Sequence, residues 1–243
     1  MRLEDLLRLT MSNSGIFSIR TNDIRWFVIN YGPPASGKTN VKTTQEIVNL
    51  IDSNFSDIDV DTIVSDIYFY RGGTDIADLD QRTYWQLRSD ADEQSNKMLV
   101  NAIIFRNNII WETTGRDRSY IKYVIDFVKQ YGYHVLLTIP YLFLENEIIR
   151  CKSRKQPADC SLEYISDIRL KSYNNFEHVA KDCDRVMVFD NNSKLFVIYD
   201  STKPGCGNLN SVLSDLNQSG LHTFILKKCI PKKTRARKYK QTN

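Results

Sequence analysis

The chain is poor in cysteine, and the five it has, Cys151, Cys160, Cys183, Cys206 and Cys229, form no CxxC pair and stand at no zinc-type spacing from histidine. That excludes a zinc finger or ribbon, and the odd count argues against a disulfide framework, so reduced thiols in a cytoplasmic setting are expected. Long apolar runs are also absent. VLLTIPYLFL, from Val135, is too short to span a membrane and contains Pro140, so it reads as a buried strand running into a helix. The opening MRLEDLLRLTMSNSG has acids among its leucines and no long apolar core, so no signal peptide is expected. No internal repeat is found.

Charge is nearly balanced overall, at +4, but unevenly spread. Residues 227–243 hold eight Lys/Arg and no acid, which leaves 25 basic against 29 acidic residues, or −4, on residues 1–226. Such a tail can hold nucleic-acid phosphates weakly, act as a localisation address, or be an unstructured end, and the last is the expectation for 227–243. With 243 residues and 42% hydrophobic content, residues 1–226 suffice for one globular domain.

Gly32-Pro33-Pro34-Ala35-Ser36-Gly37-Lys38-Thr39 matches the phosphate-binding P-loop pattern in full. It follows an apolar run, Trp26–Tyr31, and opens a helical pattern carrying Val41, Ile47, Val48 and Ile51. The glycines let backbone N–H groups curl around phosphate oxygens, Lys38 reaches the β/γ-phosphates, and the Thr39 hydroxyl can ligate Mg²⁺. Gly32, Ala35, Ser36, Gly37, Lys38, Thr39 and Asn40 are therefore expected to bind ATP, with Mg²⁺ at Thr39.

Downstream, strand-like and helix-like segments alternate. Val60–Tyr70 reads as a strand broken by Arg71-Gly72-Gly73. Gln81 to Asn107 reads as a helix, Asn108–Trp111 as a strand, Arg116–Tyr131 as a helix and His134–Ile139 as a strand. Helices from Tyr141 to about Lys155 and from Ser161 to Ala180 follow, then strands Arg185–Asp190 and Lys194–Tyr199 around an Asn191-Asn192 turn. This order implies an α/β fold, a P-loop NTPase-type parallel sheet flanked by helices.

Ligands bind beyond the C-terminal ends of such strands. Asp66, read at a strand end, is either a general base for an acceptor hydroxyl or a turn cap. Glu112 ends an apolar strand and suits the Mg²⁺ water shell, an acceptor contact or a helix cap, with Thr113 and Thr114 also able to cap. Arg150 and Arg154, four residues apart on one helical face, suit a lid near 145–160 that stabilises the transferring phosphoryl group, or else a solvated basic face. Arg169 is a third candidate arginine. His134 and His178 read as core or surface residues.

The run from Asn107 to Val135 resembles the segment around the Glu-Gly-Thr-Gly-Arg motif of zeta toxins, and with the P-loop, Asp66, the downstream arginines and VMVFDN the resemblance covers roughly residues 25–200. It implies a zeta-toxin/nucleotide-kinase-like phosphotransferase, with Lys38 and Thr39 on ATP and Mg²⁺ and Asp66 as base. Glu112, Thr114 and Arg116 would bind the acceptor, a UDP-sugar in that family, and Arg150 would be the first lid arginine, with Arg154 or Arg169 the second. Thr113 replaces the motif's first glycine, and a second acceptor-binding glutamate of the family falls near Asn101. An antitoxin-like partner is left unassigned. Alternatives are a nucleoside, nucleotide or polynucleotide-end kinase, and a non-catalytic ATP-binding regulatory protein.

Overall fold

The structure, a computed structural model, describes residues 2–14, 24–51, 55–154, 160–192, 195–203, 209 and 212. The basic tail, and most of the chain after residue 203, lie outside the described residues. Six strands form one sheet: β1 (Arg25–Tyr31), β2 (Phe55–Ile58), β3 (Asn108–Thr113), β4 (Tyr133–Tyr141), β5 (Arg185–Asp190) and β6 (Phe196–Asp200). Their order is β2-β3-β1-β4-β5-β6, parallel throughout except that β6 runs antiparallel to β5. The helices are α1 (Leu3–Ser14), α2 (Lys38–Lys42), α3 (Gln45–Val48), α4 (Val60–Tyr70), α5 (Gln81–Ile104), α6 (Arg118–Gln130), α7 (Leu144–Lys152) and α8 (Leu162–Ala180).

Alternation along β1 explains the two-sided core. Phe27, Ile29 and Tyr31 face a large cluster built with α1, α5, α6 and α8. Val28 points the other way and joins Val41 and Ile47 of α2 and α3, Ile110 and Leu136. Burial on both faces accounts for the near-continuous apolar runs of the central strands. Each fully buried side chain of this size, such as Phe27, contributes roughly 1.5–3 kcal/mol.

One predicted element has the wrong type. Val60–Tyr70 is a helix, not a strand: Asp59 caps it by accepting from the Asp61 N–H, and Val60, Ile63 and Val64 pack with Leu79, Leu87 and Ala91 of the neighbouring segment and α5. That spacing is the three-and-four repeat of a buried helical stripe. The neighbouring strand is β2, which pairs with β3 from Phe55↔Asn108 to Ile58↔Trp111. The helix expected after the P-loop is also broken into the short α2 and α3, with Val41, Ile47 and Ile51 buried and Val48 exposed. The cysteines depart from expectation as well, since Cys151 and Cys160 are joined by a disulfide. No helix among the described residues is long and apolar enough to cross a membrane.

Candidate active site

The P-loop joins β1 to α2, at the C-terminal edge of the sheet. Gly37 has φ +96°, and a Cβ there would collide with the Asn191 side chain and approach Arg150, so only glycine fits. Three strands anchor the loop. The Gly32 N–H donates to the Thr113 carbonyl at 3.1 Å. Asn30, buried on β1, donates through Nδ2 to the Lys38 carbonyl at 2.7 Å, and Asn191, just past β5, donates to the Ser36 carbonyl at 2.7 Å. Lys38 Nζ is held over the loop by the Gly32 and Pro33 carbonyls at 3.0 and 3.1 Å.

Ser36 Oγ is fully buried without a hydrogen-bond partner among the described residues, inside the curled backbone of the loop. A polyphosphate fits that cradle, because its oxygens accept from N–H and hydroxyl groups and its charge matches Lys38. No group of three or more His, Cys, Asp or Glu side chains among the described residues could hold a metal ion by itself. The residues present suit Mg²⁺ held jointly with phosphate oxygens and water, the usual habit of that ion. Thr39 shares its cavity with Asp57, Asp59 and Glu112.

Glu112 sits at the end of β3, level with Asn30 on β1. Lys42 Nζ lies 2.8 Å from Glu112 Oε1 and 2.8 Å from Asp57, and Asn30 Nδ2 donates to Glu112 at 3.3 Å. Burial raises the Glu112 pKa, while Lys38 and Lys42 oppose the shift; for Lys42, the charges of Glu112 and Asp57 outweigh burial and hold its proton on. Neither Asn30 nor Lys42 stands out in the sequence, since a strand asparagine and a second P-loop-helix lysine carry no motif.

The turn after β3 carries Thr114 and Arg116, and α8 fixes it. Tyr31 Oη donates to the carbonyls of Gly115 and Ser172, Ser172 Oγ to that of Thr114, and Asn175 Nδ2 to those of Gly115 and Arg116. Two adjoining cavities meet here. One, about 740 Å³, contains Lys38, Thr39, Lys42, Asp57 and Asp59. The other, about 660 Å³, runs over Tyr84, Trp85, Arg88, Asp92, Asn96, Trp111, Arg116 and Tyr120. Asp61, Arg88, Glu112, Thr113, Thr114 and Arg154 line both. Within the junction Asp61 accepts from Arg88 at 2.6 Å and from Tyr84 at 2.9 Å.

Asp66 lies elsewhere. It is exposed on α4 and lines neither cavity, because the helix turns it away from the strand end on which its assignment depended. Asp59, immediately after β2, lines the first cavity together with Lys38 and Thr39. Asn101 is exposed on α5 and outside the pocket, whereas Asp92 and Asn96, earlier on that helix, line it.

The arginines separate into different environments. Arg154 lines both cavities and has no ion-pair partner among the described residues. Arg150 is half-buried beside Gly37 and donates to the Asn191 carbonyl at 3.0 Å. Arg169 is fixed: it pairs with buried Glu147 at 2.6 Å, donates to the Leu142 carbonyl at 2.7 Å and lies over the Tyr173 ring. Burial pushes Glu147 up to about 7, against the pull of Arg169. His134 and His178 are both exposed, and neither lines a cavity of the site.

No protein-family model matches the chain. A curated relative, the uncharacterized protein L872 of Acanthamoeba polyphaga mimivirus, is 25% identical, with 70% of this chain and 63% of the relative covered. The chain thus spans less than two thirds of that relative's length. A solved structure from the PezAT chromosomal toxin–antitoxin system of Streptococcus pneumoniae aligns with TM-score 0.62 at 15% identity, covering 98% of this chain and 95% of that one. The AvrRxo1-ORF1:AvrRxo1-ORF2 complex aligns with TM-score 0.61 in its sulphate form and 0.59 in its ATP form, each at 13% identity and 90% of this chain, and 73% and 71% of those chains. The six-stranded, mostly parallel sheet with flanking helices is the fold these structures share.

Proposed function

We propose that the protein is an ATP-dependent phosphotransferase that moves the γ-phosphoryl group of Mg·ATP to a hydroxyl of a small-molecule acceptor. One observation carries this reading: a P-loop cavity opens directly into a second cavity, and Arg154, without an ion-pair partner among the described residues, stands where they join. Lys38 and the loop N–H groups hold the phosphates, and Thr39 holds the metal. Arg154 meets the charge that spreads over the phosphoryl oxygens, and Arg150 braces the loop through Asn191. Asp59 takes the acceptor proton, a role its position supports better than that of Asp66. Glu112, Thr114 and Arg116 orient the acceptor, whose class includes UDP-sugars: the aromatic faces of Trp85, Trp111 and Tyr120 suit a planar ring, and the carboxylates and Asn96 suit hydroxyls.

The PezAT structure comes from a toxin–antitoxin system, and that likeness supports a restraining protein partner for this chain too. A single catalytic domain working in the cytoplasm, with the arginine-bearing segment as its lid, completes the proposal.

Incubation with γ-labelled ATP, Mg²⁺ and a panel of UDP-sugars, nucleosides and oligonucleotides tests it. A labelled small molecule is expected, and Lys38→Ala and Arg154→Ala should each lower its formation by about 100-fold or more with the fold intact. A labelled oligonucleotide would move the acceptor to polynucleotide ends. ATP binding with no labelled product would leave nucleotide binding without transfer.

A further inference from the structure

Arg154 lies on a segment tied at its base. Cys151, in the last turn of α7, is bonded to Cys160, next to the Ser161 cap of α8, across a sequence separation of 9. Cys151 is 2% exposed and packs with Ala35 of the P-loop and with Ile165; Cys160 lies at the edge of the same cluster. Cys151 also lines the acceptor cavity alongside Arg154. The cross-link thus packs against the phosphate loop and borders the cavity that Arg154 lines.

We propose that Cys151 and Cys160 form a reversible redox modification site that governs how Arg154 is presented; the consequence for turnover rests on the phosphotransferase reading. The bond ties the end of α7 to the start of α8, so Arg154, three residues past Cys151, stays over the junction when the pair is oxidised. In the reduced chain Arg154 keeps its N–H bond to the Cys151 carbonyl at 3.0 Å, but the tie from the end of α7 to the start of α8 is gone. Disulfides in reducing compartments are mostly of this transient, responsive kind.

The exchange balances with a low-molecular-weight thiol. Its thiolate attacks Sγ of Cys160, the more accessible sulfur; the S–S bond breaks, and Cys151 leaves as a thiolate and takes up a proton. A second small thiol then displaces the Cys160 sulfur as a thiol and departs in the symmetrical disulfide. The two electrons from the small thiols end on Cys151 and Cys160, and oxidation by a low-molecular-weight disulfide is the reverse. Cys183, the free cysteine among the described residues, does not compete, because burial pushes its thiol up to about 12 and keeps it protonated.

The full chain, poised in mixtures of reduced and oxidised glutathione, provides the test. Alkylation and mass measurement report the state of the two thiols, trypsin reports the cut after Arg154, and γ-labelled Mg·ATP with water as acceptor reports turnover. The oxidised chain should be cut after Arg154 roughly tenfold more slowly than the reduced chain and should turn over roughly tenfold faster. Cys160→Ser should behave as the reduced chain in every buffer. Lys38→Ala should lose turnover yet keep the difference in cutting. Equal cutting in both states, or a pair that never oxidises, overturns the inference. Absence in both states of phosphate release and of any labelled product from the acceptor panel overturns the phosphotransferase reading instead, and the cutting rates still decide the redox site.

Discussion

Two aspartates separate proton transfer from helix capping. Asp59 accepts from the Asp61 N–H at 3.1 Å and from Thr62 Oγ1 at 3.1 Å, and asparagine can keep the capping bond while losing its basicity. Asp59→Asn should therefore preserve Mg·ATP affinity and fold while slowing transfer by about 100-fold or more, the usual cost of a missing general base. Asp66→Asn should leave both within about twofold, since exposed substitutions away from a site have small effects. Single-turnover transfer rates and nucleotide titrations on the two variants decide between the carboxylates; a slow Asp66→Asn beside a normal Asp59→Asn would restore Asp66 as base. Glu147 offers a different residue-scale test. Burial lifts its pKa from 4.5 to about 7, so the folded chain holds a proton there that the unfolded chain releases. Its contribution to stability is fully present below the unfolded value and declines as pH rises through the window from 4.5 to about 7. Denaturant unfolding of Glu147→Gln should lack that decline. Relative to the parent, the variant should gain about 3 kcal/mol between about pH 4.5 and 8, and parallel pH profiles would refute the shift.

Elements explain which parts of this molecule can be read from the chain. The P-loop is legible because its chemistry demands fixed residue types at fixed offsets, and β1, β3, β4 and β5 because burial on both faces makes their central residues largely apolar. Val60–Tyr70 reads as a strand because strands and buried helices both present β-branched and aromatic residues. Only the partners, Leu79, Leu87 and Ala91, reveal that the repeat is helical. That error displaces the base, since Asp59 and β2 come into view only once α4 is recognised. Asn30, Lys42 and Asn191 act through contacts with residues distant in sequence or in neighbouring elements, and no local pattern announces such bonds. Similarly, the Thr114–Arg116 turn owes its shape to α8. Gly115 has φ +79°, and a Cβ there would strike the Tyr31 ring. Gly115→Ala should cost about 2 kcal/mol or more from the left-handed conformation and the displaced ring. Because Asn30 and Asn191 hold the Lys38 and Ser36 carbonyls independently of this turn, Mg·ATP affinity should hardly change. Thermal unfolding and nucleotide titration check the pair of outcomes, and weakened ATP binding would show the two cavities to be coupled through this turn.

At the scale of the whole molecule, the nucleotide loop is a knot of strands far apart in sequence. Thr113 of β3 holds Gly32, Asn30 of β1 holds Lys38, and Asn191 after β5 holds Ser36, while Arg150 of α7 reaches the same asparagine. Occupying the loop therefore favours the assembled sheet over any state in which β5 or α7 has come away. A ligand bound only by the folded chain adds about 2.7 kcal/mol at roughly a hundred times its Kd. For a chain of this size, each kcal/mol raises Tm by about 2–4 °C, so saturating Mg·ATP should shift the unfolding midpoint upward by about 5–10 °C. Lys38→Ala should erase the shift, because the charge that grips the phosphates is gone, and Asp59→Asn should retain it, because that residue acts on the acceptor. Asn191→Ala should lower the midpoint even without nucleotide, since it leaves the buried Ser36 carbonyl unsatisfied, and should reduce the shift as well. Differential scanning measurements on the parent and these three variants, with and without Mg·ATP, read all of these at once. A full shift in Lys38→Ala would remove the P-loop from nucleotide binding, and a lost shift in Asp59→Asn would make that carboxylate part of the metal and phosphate site instead of the proton acceptor.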